Sequence, residues 1–179
     1  MTAPAAINAG WVIRSDTQAR LTLAEMRKSV ISALGNQDWL LFARGVIIRS
    51  GAPSRDAQAM AYAIRDYVAR HLKFVRDPVG IENLTRPVDH MRQLEQAGPS
   101  GYILGDCDDA ATLSAALAGA VGIPSTFTVL AFDWGRGASP YQHVFTTLYP
   151  PKGRPVVCDT TRDAQKLPPK VARRFTIKV

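Results

Sequence analysis

Cys107 stands in Gly105-Asp106-Cys107-Asp108-Asp109, directly ahead of an alanine- and leucine-rich stretch that reads as a helix. His143 and Asp159 follow, each in its own strand-like segment. A thiol at a helix start, an imidazole on one strand and a carboxylate on the next are the parts of a cysteine-nucleophile triad. A free thiol has a pKa of about 8.5, so a few per cent is thiolate at neutral pH. Unpaired N–H groups in the first turn of a helix stabilise the anion, and the N–H of Cys107 is placed to hold an oxyanion. An imidazole forms a thiolate–imidazolium pair, and a carboxylate on its far nitrogen fixes the tautomer. His143 and Asp159 suit those roles because adjacent antiparallel strands bring side chains to about 5 Å.

Three carboxylates work against activation. Asp106, Asp108 and Asp109 surround the thiol with negative charge, which disfavours a thiolate. Their structural reading is Asp106 as N-cap, with Asp108 and Asp109 in the acid-favouring first turn. A zinc site of Cys107, His143 and Asp159 lacks the close-spaced ligand pairs typical of metal sites, so no metal and no cofactor is expected. Cys158, in Pro155-Val-Val-Cys-Asp-Thr160, reads as a small buried hydrophobe. Side chains alternate along a strand, so Cys158 faces away from Cys107 if Asp159 faces the imidazole, and no disulfide is expected.

The elements that must position these residues are helical first and extended last. Gly10–Arg14 reads as a short strand. Thr22-Leu-Ala-Glu25 has the form of a capping box and opens a helix with Leu23, Met26, Val30, Ile31 and Leu34 on one face, ended by Gly35-Asn36. A second helix spans Asp38–Arg49 and is closed by Ser50-Gly51-Ala52-Pro53. Ser54 caps a third over 55–72, with Ala57, Met60, Ala61, Ile64, Tyr67, Val68 and Leu72 at helical spacing. Residues 77–104 read as irregular, with one short helix around 88–96. The helix from Asp106 to about Val121 stops at Gly122, with Pro124 beyond. Three extended segments follow: Ser125–Asp133, His143–Tyr149 and Pro155–Thr160. The first alternates, Phe127, Val129 and Ala131 lying opposite Thr126, Thr128 and Leu130. A helical first half and an antiparallel second half make an α+β fold.

The 179 residues, 46% hydrophobic and 21% charged, suit one domain with a real core and argue against disorder. No apolar run approaches the roughly 18 residues of a membrane span, and Met1–Asn8 does not read as a signal peptide. Two cysteines without an evident pairing fit a reducing cytoplasm. Charge is uneven: residues 151–179 carry eight Lys or Arg against Asp159 and Asp163, so +6 of the formal +7 lies there. Such a tail can hold nucleic acid or an acidic partner, but no aromatic-interleaved patch or zinc-finger spacing supports a nucleic-acid role. The alternative is that Phe175-Thr-Ile177 forms a final strand covering a sheet edge.

Gly105–Asp109, the helix Ala110–Val121 and Gly122-Ile-Pro124 leading into a strand resemble the core of the transglutaminase-like superfamily. Gln142-His-Val-Phe145 and Val157-Cys-Asp-Thr160 follow in the same order at compatible spacing. The resemblance covers residues 60–162. Arg70–Gly80 is similar to the helix-to-loop entry of bacteriophage and prophage members. It implies Cys107 as nucleophile, His143 as general base and acid, Asp159 as its orienting partner, and three strands in one sheet packed on the Cys107 helix. It divides the chain into a mainly helical part (1–76), the core (77–162) and the basic tail or final strand (163–179). It further implies a peptidase, amidase or transglutaminase-type activity on a peptide or protein substrate, in the host cytoplasm or a virion. The other reading is a virion structural or assembly protein, partnered by phage structural proteins, that keeps the fold as a binding module. The chain departs from many members in having Val144 after the histidine, and Arg154 or Pro155 where a Trp precedes the aspartate strand. Tyr102 is the nearest upstream candidate for a second oxyanion donor, its simpler reading being a loop aromatic. Trp134 and Tyr141 lie in the loop at the mouth of the cleft. His71 and His90 read as surface residues of a helix or loop.

Overall fold

The computed structural model describes residues 7–8, 16–77, 83–133, 138–159 and 171–179. The expected strand at Gly10–Arg14 and the loop residue Trp134 lie outside them. In chain order the elements are β1 (Ile7–Asn8), α1 (Asp16–Leu34), α2 (Gln37–Ser50), α3 (Ala57–His71), β2 (Leu72–Phe74), β3 (Asn83–Leu84) and α4 (Pro87–Ala97). β4 (Ile103–Gly105), α5 (Cys107–Ala120), β5 (Ser125–Asp133), β6 (Ala138–Leu148), β7 (Val156–Cys158) and β8 (Val171–Lys178) complete the α+β fold.

The helices follow the apolar spacing, but their starts follow the caps. Helix α1 begins at Asp16, six residues before the expected opening, and Thr22 is buried inside it. The apolar face extends one turn back to Ala19, so Thr22-x-x-Glu25 is mid-helix sequence and not a capping box. Leu23, Met26 and Val30 are buried as expected, whereas Ile31 faces solvent. Asn36 caps α2, its Oδ1 accepting the Trp39 N–H at 2.9 Å. Gly51 ends that helix in the left-handed region at φ 74°, which favours glycine. The cap of α3 is Asp56, which accepts the Ala59 N–H, and not Ser54. A carboxylate one residue before the helix outcompetes a hydroxyl two residues further back, because the cap must reach the N–H groups of the first turn.

Residues expected to be irregular carry short elements. β4 pairs in parallel with β2, with Leu72 opposite Ile103 and Phe74 opposite Gly105. Strands of three residues are too short to show a period of two, so the sequence does not reveal them. Helix α4 starts with Pro87 at its first turn, where the missing N–H costs nothing.

β5, β6, β7 and β8 form one antiparallel sheet in the order β7-β6-β5-β8. Helix α5 lies against β6 and is enclosed by α1 and α3. Every residue from Asp108 to Ala118 is buried, which its run of alanines permits by letting neighbouring backbones approach. Two side chains donate to its carbonyls: Thr146 Oγ1 to Ala111 O at 2.8 Å and Trp39 Nε1 to Ala116 O at 3.3 Å. β5 is buried on both faces, because Leu130 joins Phe132 and Phe145 in a second apolar cluster. This hides the expected alternation.

The C-terminal segment is a strand. β8 pairs with β5 from Val171 opposite Phe132 to Lys178 opposite Thr126. Phe175 packs edge-on against Tyr141 at 5.0 Å and lies under the Arg20 guanidinium at 4.8 Å. Removing residues 171–179 unpairs one side of β5 and uncovers Phe127 and Val129. The truncated protein is expected to be insoluble or to melt many degrees lower. An unchanged melting temperature in differential scanning calorimetry would show that β8 is dispensable to the sheet.

Candidate active site

The site is built where β4 ends and α5 begins. Gly105 is the last residue of β4, and a Cβ there would meet the Asp109 carboxylate at 2.7 Å, so the close approach requires glycine. Asp106 follows in extended backbone and caps α5, its Oδ1 accepting the Asp108 N–H at 3.1 Å. Asp109 reaches back to the Asp106 N–H at 3.4 Å, completing a reciprocal capping box. The same carboxylate accepts the Thr85 N–H at 2.8 Å and lies 3.4 Å from His90 Nε2. Asp109 therefore ties the first turn of α5 to the segment leading into α4. Cys107 is the first residue of that turn and is half-buried.

His143 lies on β6 opposite Leu130, and its Nε2 is 2.9 Å from Asp159 Oδ1. Asp159 sits one residue past β7, whose Cys158 pairs with Thr146. The ring packs near Phe132 and Phe145, with centroids at 6.4 and 6.2 Å. Apolar walls and a single carboxylate restrict the imidazole to one orientation. The His143–Asp159 pair is largely buried, at 14% and 11% side-chain exposure, so water competes weakly for the bond.

Cys107 and His143 line one cavity of about 200 Å³, together with Asp106, Asp108 and Gln142. Its apolar wall comes from Ala19, Leu23 and Met26 of α1 and from Val129 and Val144 of the sheet. The sequence marks the α1 residues as a core face, but nothing in it says which cavity they close. Tyr141 also lines the cavity, and the Arg173 guanidinium of β8 covers its ring at 5.0 Å. A wider groove between α2, α3 and α4 has none of Cys107, His143 and Asp159 in its wall.

Cys158 and Asp108, which adjoin Asp159 and Cys107 in sequence, have shifted proton affinities. Burial pushes the Cys158 thiol up to about 12, so it stays protonated at neutral pH. Asp108 is 2% exposed, and its carboxyl is held well above the usual range. Burial is the largest cause, followed by the hydrogen bond and the charge of Asp106, then the charges of Asp109 and Cys107. Among the three acids, Asp109 has both oxygens engaged by backbone N–H groups and Asp106 has one, so they serve as hydrogen-bonding machinery of the helix start.

Other expected candidates fall elsewhere. Tyr102 is half-exposed with Lys73 Nζ 4.3 Å from its ring centroid, and it does not line the cavity. His71 and His90 are buried, which corrects their reading as surface residues. His71 Nδ1 lies 2.7 Å from the Gly101 carbonyl and its ring packs on Tyr67, whereas His90 faces Asp109. Both sit on helix faces turned inward by contacts distant in sequence, which local polarity does not reveal. Neither cysteine is in a disulfide.

The sequence profile of the transglutaminase-like superfamily matches residues 46–160, and the chain belongs to that superfamily. No curated protein matches it significantly. The fold is similar to the crystal structure of a provisionally named protease from Parabacteroides distasonis ATCC 8503, with a TM-score of 0.52 and 17% identity over 77% of this chain. The match covers 26% of that longer protein. Among the described residues no helix is long and apolar enough to cross a membrane.

Two measurements check these assignments. Iodoacetamide is expected to modify Cys107 in the folded protein and to leave Cys158 untouched until denaturant is added. Equal rates at both sites, read by peptide mass spectrometry, would contradict the burial of Cys158. The raised Asp108 carboxyl makes the folded chain bind more protons than the unfolded one above the ordinary Asp value near 3.8. Stability from this group is therefore complete below that value and declines as pH rises through the folded one. Asp108→Asn, which removes this linkage, is expected to gain stability relative to wild type at pH 8 compared with pH 4. A constant difference in urea midpoints would show that Asp108 ionises normally.

Proposed function

We propose that the chain is a cysteine-nucleophile acyl-transfer enzyme of the peptidase, amidase or transglutaminase type. Cys107 Sγ attacks the carbonyl carbon of a peptide or side-chain amide, and its proton passes to His143. With Nε2 committed to Asp159, Nδ1 is the ring nitrogen left to take that proton and return it to the departing amine. The amine leaves as the tetrahedral intermediate collapses to a thioester on Cys107. Attack on the thioester by water yields an acid, and attack by an amine yields a new amide, each restoring the thiol. The Cys107 N–H at the first turn of α5 is aimed to hold the oxyanion. Asp159 keeps the imidazole in one tautomer and stabilises the imidazolium.

The observation that carries this reading is the 2.9 Å His143–Asp159 contact beside a cavity that His143 shares with a helix-initiating cysteine. Membership of the superfamily supports a cysteine-type acyl-transfer or peptidase chemistry. The likeness of Arg70–Gly80 to phage and prophage members supports a viral setting with phage structural proteins as partners. A second reading, a virion or assembly component that binds without catalysis, is favoured by Arg173, Arg174 and Lys178, exposed on β8 and suited to an acidic partner or nucleic acid.

A peptide-like electrophile specific for activated thiols separates the two. Stoichiometric labelling at Cys107 is expected, and His143→Ala is expected to slow it by about 10²–10⁴-fold, the usual contribution of a general base. Asp159→Asn should slow it less than His143→Ala, because the imidazole remains. Labelling no faster than that of a free thiol, or unaltered in His143→Ala, would leave the binding module as the function.

A further inference from the structure

Asp108 presents a problem that the cap geometry does not solve. Both of its carboxyl oxygens are inaccessible to water and receive no donor. The carboxylate oxygens of Asp106, Asp108 and Asp109 lie within 4.8 Å of one another. The hydrogen-bonding neighbour of the Asp108 side chain is the Asp106 carboxylate, itself an acceptor. Two ionised carboxylates cannot hydrogen-bond, and burial removes the water that would separate their charges.

We propose that Asp106 and Asp108 share one proton, and that neutral Asp108 is a positioning residue that donates to the N-cap of the nucleophile's helix. The proton comes from solvent and no bond is broken. Asp106 then receives the Asp108 N–H on Oδ1 and the Asp108 carboxyl as a second donor. This fixes the turn that carries Cys107 and leaves the Asp106–Asp108 pair with one negative charge instead of two. Among the described residues, no lysine or arginine faces Asp108 across this cavity. On α5 the groups that face it are Asp106, Cys107 and Asp109, and none is cationic. Helix α1 contributes Ala19, Thr22, Leu23 and Met26 to the shared cavity, all uncharged. From the sheet come Val129, Tyr141, Gln142, Val144 and His143, whose Nε2 is engaged by Asp159. On α4, His90 addresses Asp109.

The consequence for reactivity rests on the reading of Cys107 as nucleophile, but the shared proton does not, so the two fail separately. The full chain, labelled with ¹³C at the aspartate carboxyls and kept in EDTA, is titrated by NMR. One carboxyl is expected to remain protonated at pH 7 and to be missing from Asp108→Asn. In parallel, Cys107 alkylation is followed against pH. Asparagine keeps a donor and carries no charge, so Asp108→Asn is expected to show the wild-type pH dependence. Asp108→Ala, which strips the donor from Asp106, is expected to slow alkylation at pH 7 by about tenfold, as loss of a hydrogen bond to a charged group does. Ionisation of every aspartate at pH 7 would overturn the proposal. So would an alkylation profile moved to lower pH in Asp108→Asn, because that is the signature of removing a true negative charge. Loss of the protonated resonance on adding millimolar CaCl₂ to EDTA-free protein would also overturn it, by showing that the pocket holds a cation. If Asp108→Ala does not fold, the titration of wild type and Asp108→Asn decides alone.

Discussion

The structure depends on burying α5 almost end to end. A helix enclosed on all sides has no water to satisfy the free N–H groups of its first turn, so the protein must supply acceptors there. It does so with Asp106 and Asp109, and Asp109 in turn recruits the Thr85 N–H and faces His90. The acids that appear hostile to a thiolate are thus what allows the helix to be buried at all. The same enclosure places Cys107 at the one end of α5 where an open cavity meets backbone donors. Burial of the helix, capping of its start and exposure of the thiol are one arrangement.

Support for His143 is of a different kind. Its strand is central to the sheet, between β5 and β7, and its register is set by pairing on both sides. Asp159 hangs one residue beyond β7, so its position is inherited from the Thr146–Cys158 pairing. The chain anchors His143 on a rigid ladder and Cys107 on a rigid helix, and lets the packing of α5 against β6 set the distance between them. Sites carried on such elements hold their geometry better than sites on loops.

Much of this was legible in the sequence because it is written in local patterns. The helix after Cys107, the β5 boundaries and the order of His143 and Asp159 all follow from spacing and punctuation. What escaped detection was set by contacts distant in sequence. β2 and β4 are too short to alternate, and they exist because each completes the other. Thr22-x-x-Glu25 mimics a helix start, and only the burial of Ala19 a turn earlier reveals that the helix has already begun. His71 and His90 look like surface residues until Gly101 and Asp109 are brought against them. The cavity wall of α1 is invisible for the same reason, since a core face does not name its partner.

That wall has a consequence for timing. Ala19, Leu23 and Met26 meet Val129 and Val144 across more than a hundred residues of chain, so the pocket does not exist until nearly all of the core has assembled. In a partly folded molecule Cys107 has neither His143 nor an enclosed space beside it. The pocket thus appears at the same moment as the native packing. Topology therefore couples the surroundings of Cys107 to completion of the fold, and a chain stalled during folding carries that thiol without them.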